Sequence, residues 1–348
     1  MPRVSEFARK VIAWRRRHGR HGLPWQDTRD AYRIWLSEIM LQQTQVSAVL
    51  PYFRRFLARF PDVQSLAAAS EDDVLRLWSG LGYYARGRNL LRTARVVAGE
   101  FGGGFPETPQ GLAELPGIGR STAAAVAAFA FGRRAAILDG NVKRVLARCF
   151  GVEGFPGERA VENRLWALAE ALLPRRASIA DYTQGLMDLG ATLCTRADPD
   201  CGHCPLAREC VARRDGRTAE LPARRPRRSY PSREATWLVL LHRRSVLLER
   251  RPPSGLWGGL WTFPEPVGDP VGWCRSTLGC TVAAPRALEK VAHGFTHFRL
   301  HAQPLLCVVR RADARAAAPG RLWLDLDAAA GAALPVPVKA LLARLAAD

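Results

Sequence analysis

Leu115-Pro116-Gly117-Ile118-Gly119-Arg120-Ser121-Thr122-Ala123 sets two glycines in a short turn between the end of one apolar helix and the start of an alanine-rich one. Such a turn presents backbone N–H groups, with a helix N-terminus behind them, to a phosphate. Gly117, Gly119 and Ser121 are therefore candidate contacts to a phosphate backbone. Taken alone, the turn reads first as a plain joint between two packed helices. Its neighbour downstream is Ile137–Val145 (ILDGNVKRV), which places Asp139 at a helix start beside Gly140. Capping that helix is the commonest use of such an aspartate. A carboxylate held near a phosphate-binding turn can also stabilise positive charge developing on a sugar carbon.

Upstream lies Trp35–Val46 (WLSEIMLQQTQV). Its apolar positions Trp35, Ile39 and Leu41 follow helical spacing, and Glu38, with Gln42 and Gln43 after it, suits plain core packing poorly. On that pattern Glu38 faces a cleft, where desolvation would raise its pKa and fit it for general-acid work. Helical spacing extends from Val4 to about Leu173, as in Ala31–Tyr52 and Ser121–Phe131, so this half reads as all-α.

Cys194, Cys201, Cys204 and Cys210 follow, spaced C-x6-C-x2-C-x5-C, so one loop can wrap a single centre. Four thiolates suit zinc or an iron–sulfur cluster, and the spacing alone leaves both open. His203 inside the loop reads as a solvent-facing side chain rather than a fifth ligand, and Cys149, Cys274, Cys280 and Cys307 read as packed thiols. From Ala212 to Glu234 the chain is basic and interrupted by proline, as a linker is. Beyond it Thr236–Leu248 reads as a β-hairpin, His297–Val309 as a further strand and Pro337–Ala347 as a last helix, so the second half is α+β.

A length of 348 residues gives room for two cores. Lys and Arg total 51 against 32 Asp and Glu, a net charge of +19, carried almost wholly by arginine because only Lys10, Lys143, Lys290 and Lys339 are lysines. That surplus points to a polyanionic partner, nucleic acid first. No apolar stretch is long enough to span a membrane, and MPRVSEFARKVIAWRRRHGR at the N-terminus lacks the features of a signal peptide. The expected location is the cytoplasm, where a disulfide framework is not expected.

In this order the motifs resemble the endonuclease III superfamily of helix-hairpin-helix DNA glycosylases. Leu23-Pro24-Trp25, WLSEIMLQQTQV, Gly80–Arg86 (GLGYYAR), LDGNVKRV and Arg251–Phe263 (RPPSGLWGGLWTF) extend the likeness, over essentially the whole chain, to the adenine DNA glycosylase (MutY) family. The resemblance implies a mainly α helix-hairpin-helix glycosylase domain over residues 1–211, with a [4Fe-4S] loop at 194–210 held by the four cysteines. A basic linker, 212–234, and an α+β Nudix-like (MutT-like) domain that senses the lesion, 235–348, would follow. It further implies that adenine opposite 8-oxoguanine or guanine in double-stranded DNA is flipped from the duplex, and that Glu38 protonates its N7. Asp139 would then stabilise the oxocarbenium-like sugar, with Tyr83 and Asn141 around sugar and water. Gln43 and Leu81 match residues that wedge into the stack, Trp25 and Gln184 residues that line the adenine pocket. Bifunctional relatives carry a lysine where this chain has Ser121, so base removal leaving an abasic site, without efficient strand scission, is expected.

In the second domain the family's Phe-Ser-His lesion-sensing motif reads Phe295-Thr296-His297, with a methyl added at its centre. Between Pro264 and Arg286 the only carboxylates are Glu265 and Asp269, too few for the glutamate cluster with which a Nudix hydrolase holds magnesium. The sequence opposes three other readings: a lyase-competent pyrimidine glycosylase, by Ser121 and the long second domain; a non-enzymatic damage binder, by the retention of Glu38 and Asp139; and a nucleotide-pool hydrolase, by the missing glutamates. A monomer associated with the nucleoid, without a membrane partner, completes the expectation.

Overall fold

Helices account for the first two thirds of the chain, as the 3.6-residue periodicity requires. The computed structural model describes residues 4–175, 178–226, 230–295 and 297–347. Its helices are α1 (Val4–His18), α2 (Ala31–Leu41), α3 (Val46–Arg59), α4 (Val63–Ala67), α5 (Glu71–Trp78), α6 (Ala85–Glu100) and α7 (Pro109–Ala113). They continue with α8 (Arg120–Phe131), α9 (Gly140–Phe150), α10 (Arg159–Ala171), α11 (Ile179–Asp188) and α12 (Val211–Arg214). The run expected as one helix from Ala31 to Tyr52 is two: α2 stops at Leu41, and Gln43 takes a left-handed backbone (φ 57°) before α3 starts. No glycine or proline marks that break in the sequence.

The chain divides into two compact units, Met1–Ala68 with Arg92–Arg227 and Ala69–Leu91 with Arg228–Asp348. In the first, α8 contributes Ala123, Ala124, Ala127 and Ala128 to the buried side, where small side chains let helices approach closely, and it packs on α2, α7 and α11. Phe7, Val11, Val142, Leu146, Leu165, Tyr182 and Leu189 fill the surrounding core. The segment read as a linker is partly packed: Leu221 is buried, and the buried Arg148 donates from Nε to its carbonyl at 2.8 Å.

The second unit is built on a mixed sheet. Strand β1 (Ser232–His242) pairs antiparallel with β2 (Ser245–Arg250), and β3 (Trp261–Thr262) lies beside β2. Strands β4 (Thr281–Val282), β5 (Arg286–Ala287) and β6 (Val291–Gly294) all pair antiparallel with β7 (Arg299–Arg311), and β8 (Arg321–Asp325) pairs with β2. The long parallel ladder of β1 against β7, from Ser232↔Arg299 to Leu241↔Val308, fixes the register. Its centre, Trp237 to Leu240, is buried on both faces, so it reads as a continuous apolar run rather than an alternating one. Two short elements, α13 (Pro270–Trp273) and α14 (Val336–Ala347), complete the unit. Residues 69–91 belong here by their contacts: Ser79 Oγ and Tyr84 Oη both donate to the Leu334 carbonyl (3.0 and 3.3 Å), and Arg250 pairs with Asp72 at 3.1 Å. Among the described residues no helix is long and apolar enough to cross a membrane.

Candidate active site

Two helix starts and one helix end surround a cavity of about 970 Å³ in the first unit. Asp139 caps α9, accepting from the Val142 N–H at 2.8 Å, and its other oxygen accepts from Asn141 Nδ2 at 3.3 Å. That capping bond fixes the carboxylate's rotamer while leaving it at the cavity wall. Across the cavity α2 supplies Glu38, one turn before its C-terminal end, and Gln42 Nε2 ties that end to Thr122 Oγ1 on α8 at 3.2 Å. Trp25, edge-on to Phe53 at 5.1 Å, Gln43, Asn141, Gln184 and Ser121 also line it.

The electrostatics follow from burial. Desolvation first, and then the charge of Asp139, push the Glu38 carboxyl up to about 8. Asp139 is also raised by desolvation, but the N–H groups of Val142 and Asn141 and the Arg144 guanidinium oppose the rise. Of the two carboxyls, Asp139 is the one with hydrogen-bond donors and a guanidinium to favour its anion, while burial and the Asp139 charge both favour the acid form of Glu38. Glu38 is only partly buried by exposed surface, because that surface opens onto the cavity. The arrangement can deliver a proton from one carboxyl and hold cationic character beside the other.

The hairpin lies where the sequence reading put it. Gly117 has φ 77°, a left-handed conformation that penalises any side chain, and Gly119 stands at the N-cap of α8. Ser121 is not idle: its hydroxyl accepts from the Leu138 N–H at 2.9 Å, pinning the residue before Asp139 to the hairpin helix. Sequence reasoning missed Arg20, Met187, Arg144 and Arg196, which also line the cavity. Arg144 donates to the Asn141 side chain (2.9 Å) and to the carbonyls of Gly190 (2.5 Å) and Cys194 (2.7 Å). Only a glycine fits at 190, since a Cβ there would lie 2.5 Å from that of Asn141. The one readable signal for Arg144 was its position on the helix capped by Asp139.

The four cysteines are free thiols, and Cys204 lies within electrostatic reach of Cys194, Cys201 and Cys210. Burial raises Cys204 to about 12, and the charges of Cys194, Cys210 and Cys201 add to the rise; Cys210 is raised by the same two causes. Arg148, one turn after Arg144, donates to Cys194 Sγ at 3.4 Å and to the carbonyls of Thr195 (2.6 Å) and Arg196 (3.1 Å). Mutual repulsion among thiolates with guanidinium charge beside them fits a centre that takes four thiolates. Among the described residues no three His, Cys, Asp or Glu side chains form a group able to hold a single metal ion. His203 is exposed and pairs with Asp200 at 2.8 Å.

The remaining sequence candidates belong to the second unit. Leu81 is buried; Tyr83 is 48% exposed with φ 48°, its ring under the Arg86 guanidinium at 5.6 Å. Phe295 stacks on Phe298 at 4.6 Å and meets His293 and Trp257 (4.7 and 5.4 Å), whereas His297 is exposed and Thr296 lies outside the described residues. Asp269 caps α13 and Glu265 pairs with Arg251 at 3.0 Å, so both carboxylates of the Pro264–Arg286 stretch have structural partners.

Residues 36–171 match the family described as HhH-GPD superfamily base excision DNA repair protein, and residues 236–344 match the NUDIX domain. A protein of Buchnera aphidicola subsp. Schizaphis graminum (strain Sg) named adenine DNA glycosylase is 34% identical, over 97% of this chain and 98% of its own length. The adenine DNA glycosylase of Mus musculus is 35% identical over 97% of this chain and 77% of its own length. Among solved structures, a thermostable thymine-DNA glycosylase superposes with a TM-score of 0.55 at 30% identity, covering 61% of this chain and 97% of its own.

Proposed function

The chain belongs to the adenine DNA glycosylase family, and from that premise we propose that it hydrolyses the N-glycosidic bond of adenine mispaired with 8-oxoguanine, or with guanine, in duplex DNA. The observation that carries the reading is the pair of carboxyls on one cavity, with Glu38 pushed up to about 8 by burial and by the charge of Asp139, and Asp139 accepting from the Val142 N–H and from Asn141 Nδ2. Once adenine has flipped into the cavity, the Glu38 proton is given to N7, which turns the base into a neutral leaving group. Asp139 faces the positive charge that grows at C1′ as the bond breaks, and the carboxylate left at Glu38 then activates water. Asn141 steadies Asp139 from the side.

Ser121 offers no amine to attack the sugar, so the product is an abasic site and the strand stays intact. Gly117, Gly119 and the N-terminus of α8 suit a DNA phosphate. Tyr83 is assigned to the sugar, Gln43 and Leu81 to the gap left in the stack, and Trp25 and Gln184 to the adenine pocket. Phe295, Thr296 and His297 are assigned to the base opposite, within a Nudix-like domain from 235 onward that follows the 212–234 segment and the catalytic domain 1–211.

Cys194, Cys201, Cys204 and Cys210 would hold a [4Fe-4S] cluster, which when bound cross-links the 194–210 loop through four iron–thiolate bonds. Arg144 and Arg148 then connect that loop to the helix that carries Asp139. A monomer acting on nucleoid DNA in the cytoplasm fits one cavity of this kind and a net charge of +19. The test is single-turnover cleavage of duplexes carrying adenine opposite 8-oxoguanine, adenine opposite guanine, and thymine glycol opposite adenine, with and without alkaline workup. Breaks at adenine that need alkali are the expected result. Breaks at thymine glycol without alkali would move the chain to the lyase branch.

A further inference from the structure

Asp188, the last residue of α11, is a fully buried carboxylate directly behind the cavity wall. Its Oδ2 accepts from the Arg20 backbone N–H at 3.0 Å and faces Arg15 Nε at 3.4 Å; its Oδ1 accepts from Arg20 Nε at 2.7 Å and from Gln184 Nε2 at 2.9 Å. Arg15 is buried too, and Arg20 and Gln184 both line the cavity. A carboxylate bracketed by two guanidiniums can only accept. The Gln184 atom that meets it must therefore be the NH2, and the choice between the two amide orientations is made by chemistry rather than by fit. With its nitrogen committed to Asp188, the amide has its carbonyl oxygen left for the cavity.

An acceptor at that place discriminates among purines. Adenine carries two N–H bonds on its exocyclic nitrogen at C6, whereas a 6-oxo purine presents an oxygen there, and two acceptors facing one another leave a buried polar atom unpaired. A rotated amide would offer a donor instead and invert the preference. We propose that Asp188 is a positioning residue that selects 6-amino purines by committing the Gln184 amide nitrogen and so aiming the Gln184 carbonyl at the base. The inference rests on the reading of this cavity as the adenine site and adds to it the device that sets its polarity.

The experiment compares single-turnover excision of adenine, hypoxanthine and unsubstituted purine from otherwise identical duplexes, by the wild type and by Asp188→Asn. A neutral residue at 188 leaves Arg15 buried without its counter-charge, so Arg15→Met/Asp188→Asn, in which both charges go, is measured alongside, with a thermal melt of each. The expected result is a fall of 10-fold or more in the adenine-to-hypoxanthine and adenine-to-purine rate ratios, about 1.4 kcal/mol per decade, in whichever variant is folded. A purely structural role would slow all three bases by one factor and leave the ratios unchanged, and that result overturns the proposal alone. A wild type that leaves adenine in place and releases another base overturns the function reading and the proposal together.

Discussion

Glu38 and Asp139 share one cavity, and burial raises both, but their remaining interactions differ in sign. For Glu38 the Asp139 charge pushes the same way as burial; for Asp139 the Val142 and Asn141 N–H groups push back. The rate of adenine release under single turnover should therefore fall as pH rises through about 8, where Glu38 loses its proton. A rate flat from pH 6 to 9 would place the acid elsewhere. Stability carries the same signature. Folding takes up a proton between the ordinary value of 4.5 and about 8, so the Glu38 contribution opposes folding increasingly across that window. Glu38→Gln should lower the rate about 10²–10⁴-fold and, in urea melts at pH 8, make the protein more stable by on the order of 4 kcal/mol. At pH 4 the stability difference should vanish. These two carboxyls were readable because each breaks a local pattern, a glutamate on an apolar helix and an aspartate before Gly140. Asp188 was not, although Gln184 and Asp188 sit four residues apart on a helix that buries Tyr182 and Leu186, a polar pair on an apolar face.

Helix α9 joins the chemistry to the cysteine loop, since its N-cap is Asp139 and its next turns hold Arg144 and Arg148. Arg148→Met would strip donors from the carbonyls of Leu221, Thr195 and Arg196 at once. The expected cost is about 2–4 kcal/mol in the cluster-loaded protein, read by denaturant melts together with iron content. A midpoint and an iron content both equal to wild type would contradict this account of the loop. Removing the Ser121 hydroxyl by Ser121→Ala frees the Leu138 N–H and should cost about 1 kcal/mol with a slower excision step. Helix existence was legible from periodicity, as with α8, whose start and stop are marked by Gly119 and Gly132. The break between α2 and α3 was not, because glutamine carries no turn signal, yet Gln43 takes a left-handed backbone there.

At the scale of the whole chain the surprise is that residues 69–91 belong with the C-terminal unit. An amphipathic helix such as α5 shows in its sequence that it buries Val74, Leu75 and Trp78, but never against which core. Ending the chain after Pro226 would remove the Leu334 carbonyl that Ser79 and Tyr84 share, the Gly258 carbonyl that holds Arg88, and the Arg250 partner of Asp72. Such a fragment should melt earlier and less cooperatively than the full chain by calorimetry, whereas independence at the linker predicts an unchanged transition. Within the second unit, Phe295→Ala should narrow the preference for adenine opposite 8-oxoguanine over adenine opposite guanine, leaving the latter rate within a few-fold, because the ring packs on Phe298, His293 and Trp257 rather than on the carboxyls. The most direct measurement of the central claim is the release of free adenine from a duplex with adenine opposite 8-oxoguanine, followed chromatographically under single turnover for the wild type and Asp139→Asn, with DNA affinity measured in parallel. The account predicts release by the wild type and a loss of 10³-fold or more in the variant at near-normal affinity, on the order of 4 kcal/mol of transition-state stabilisation. Undiminished release by Asp139→Asn would contradict it.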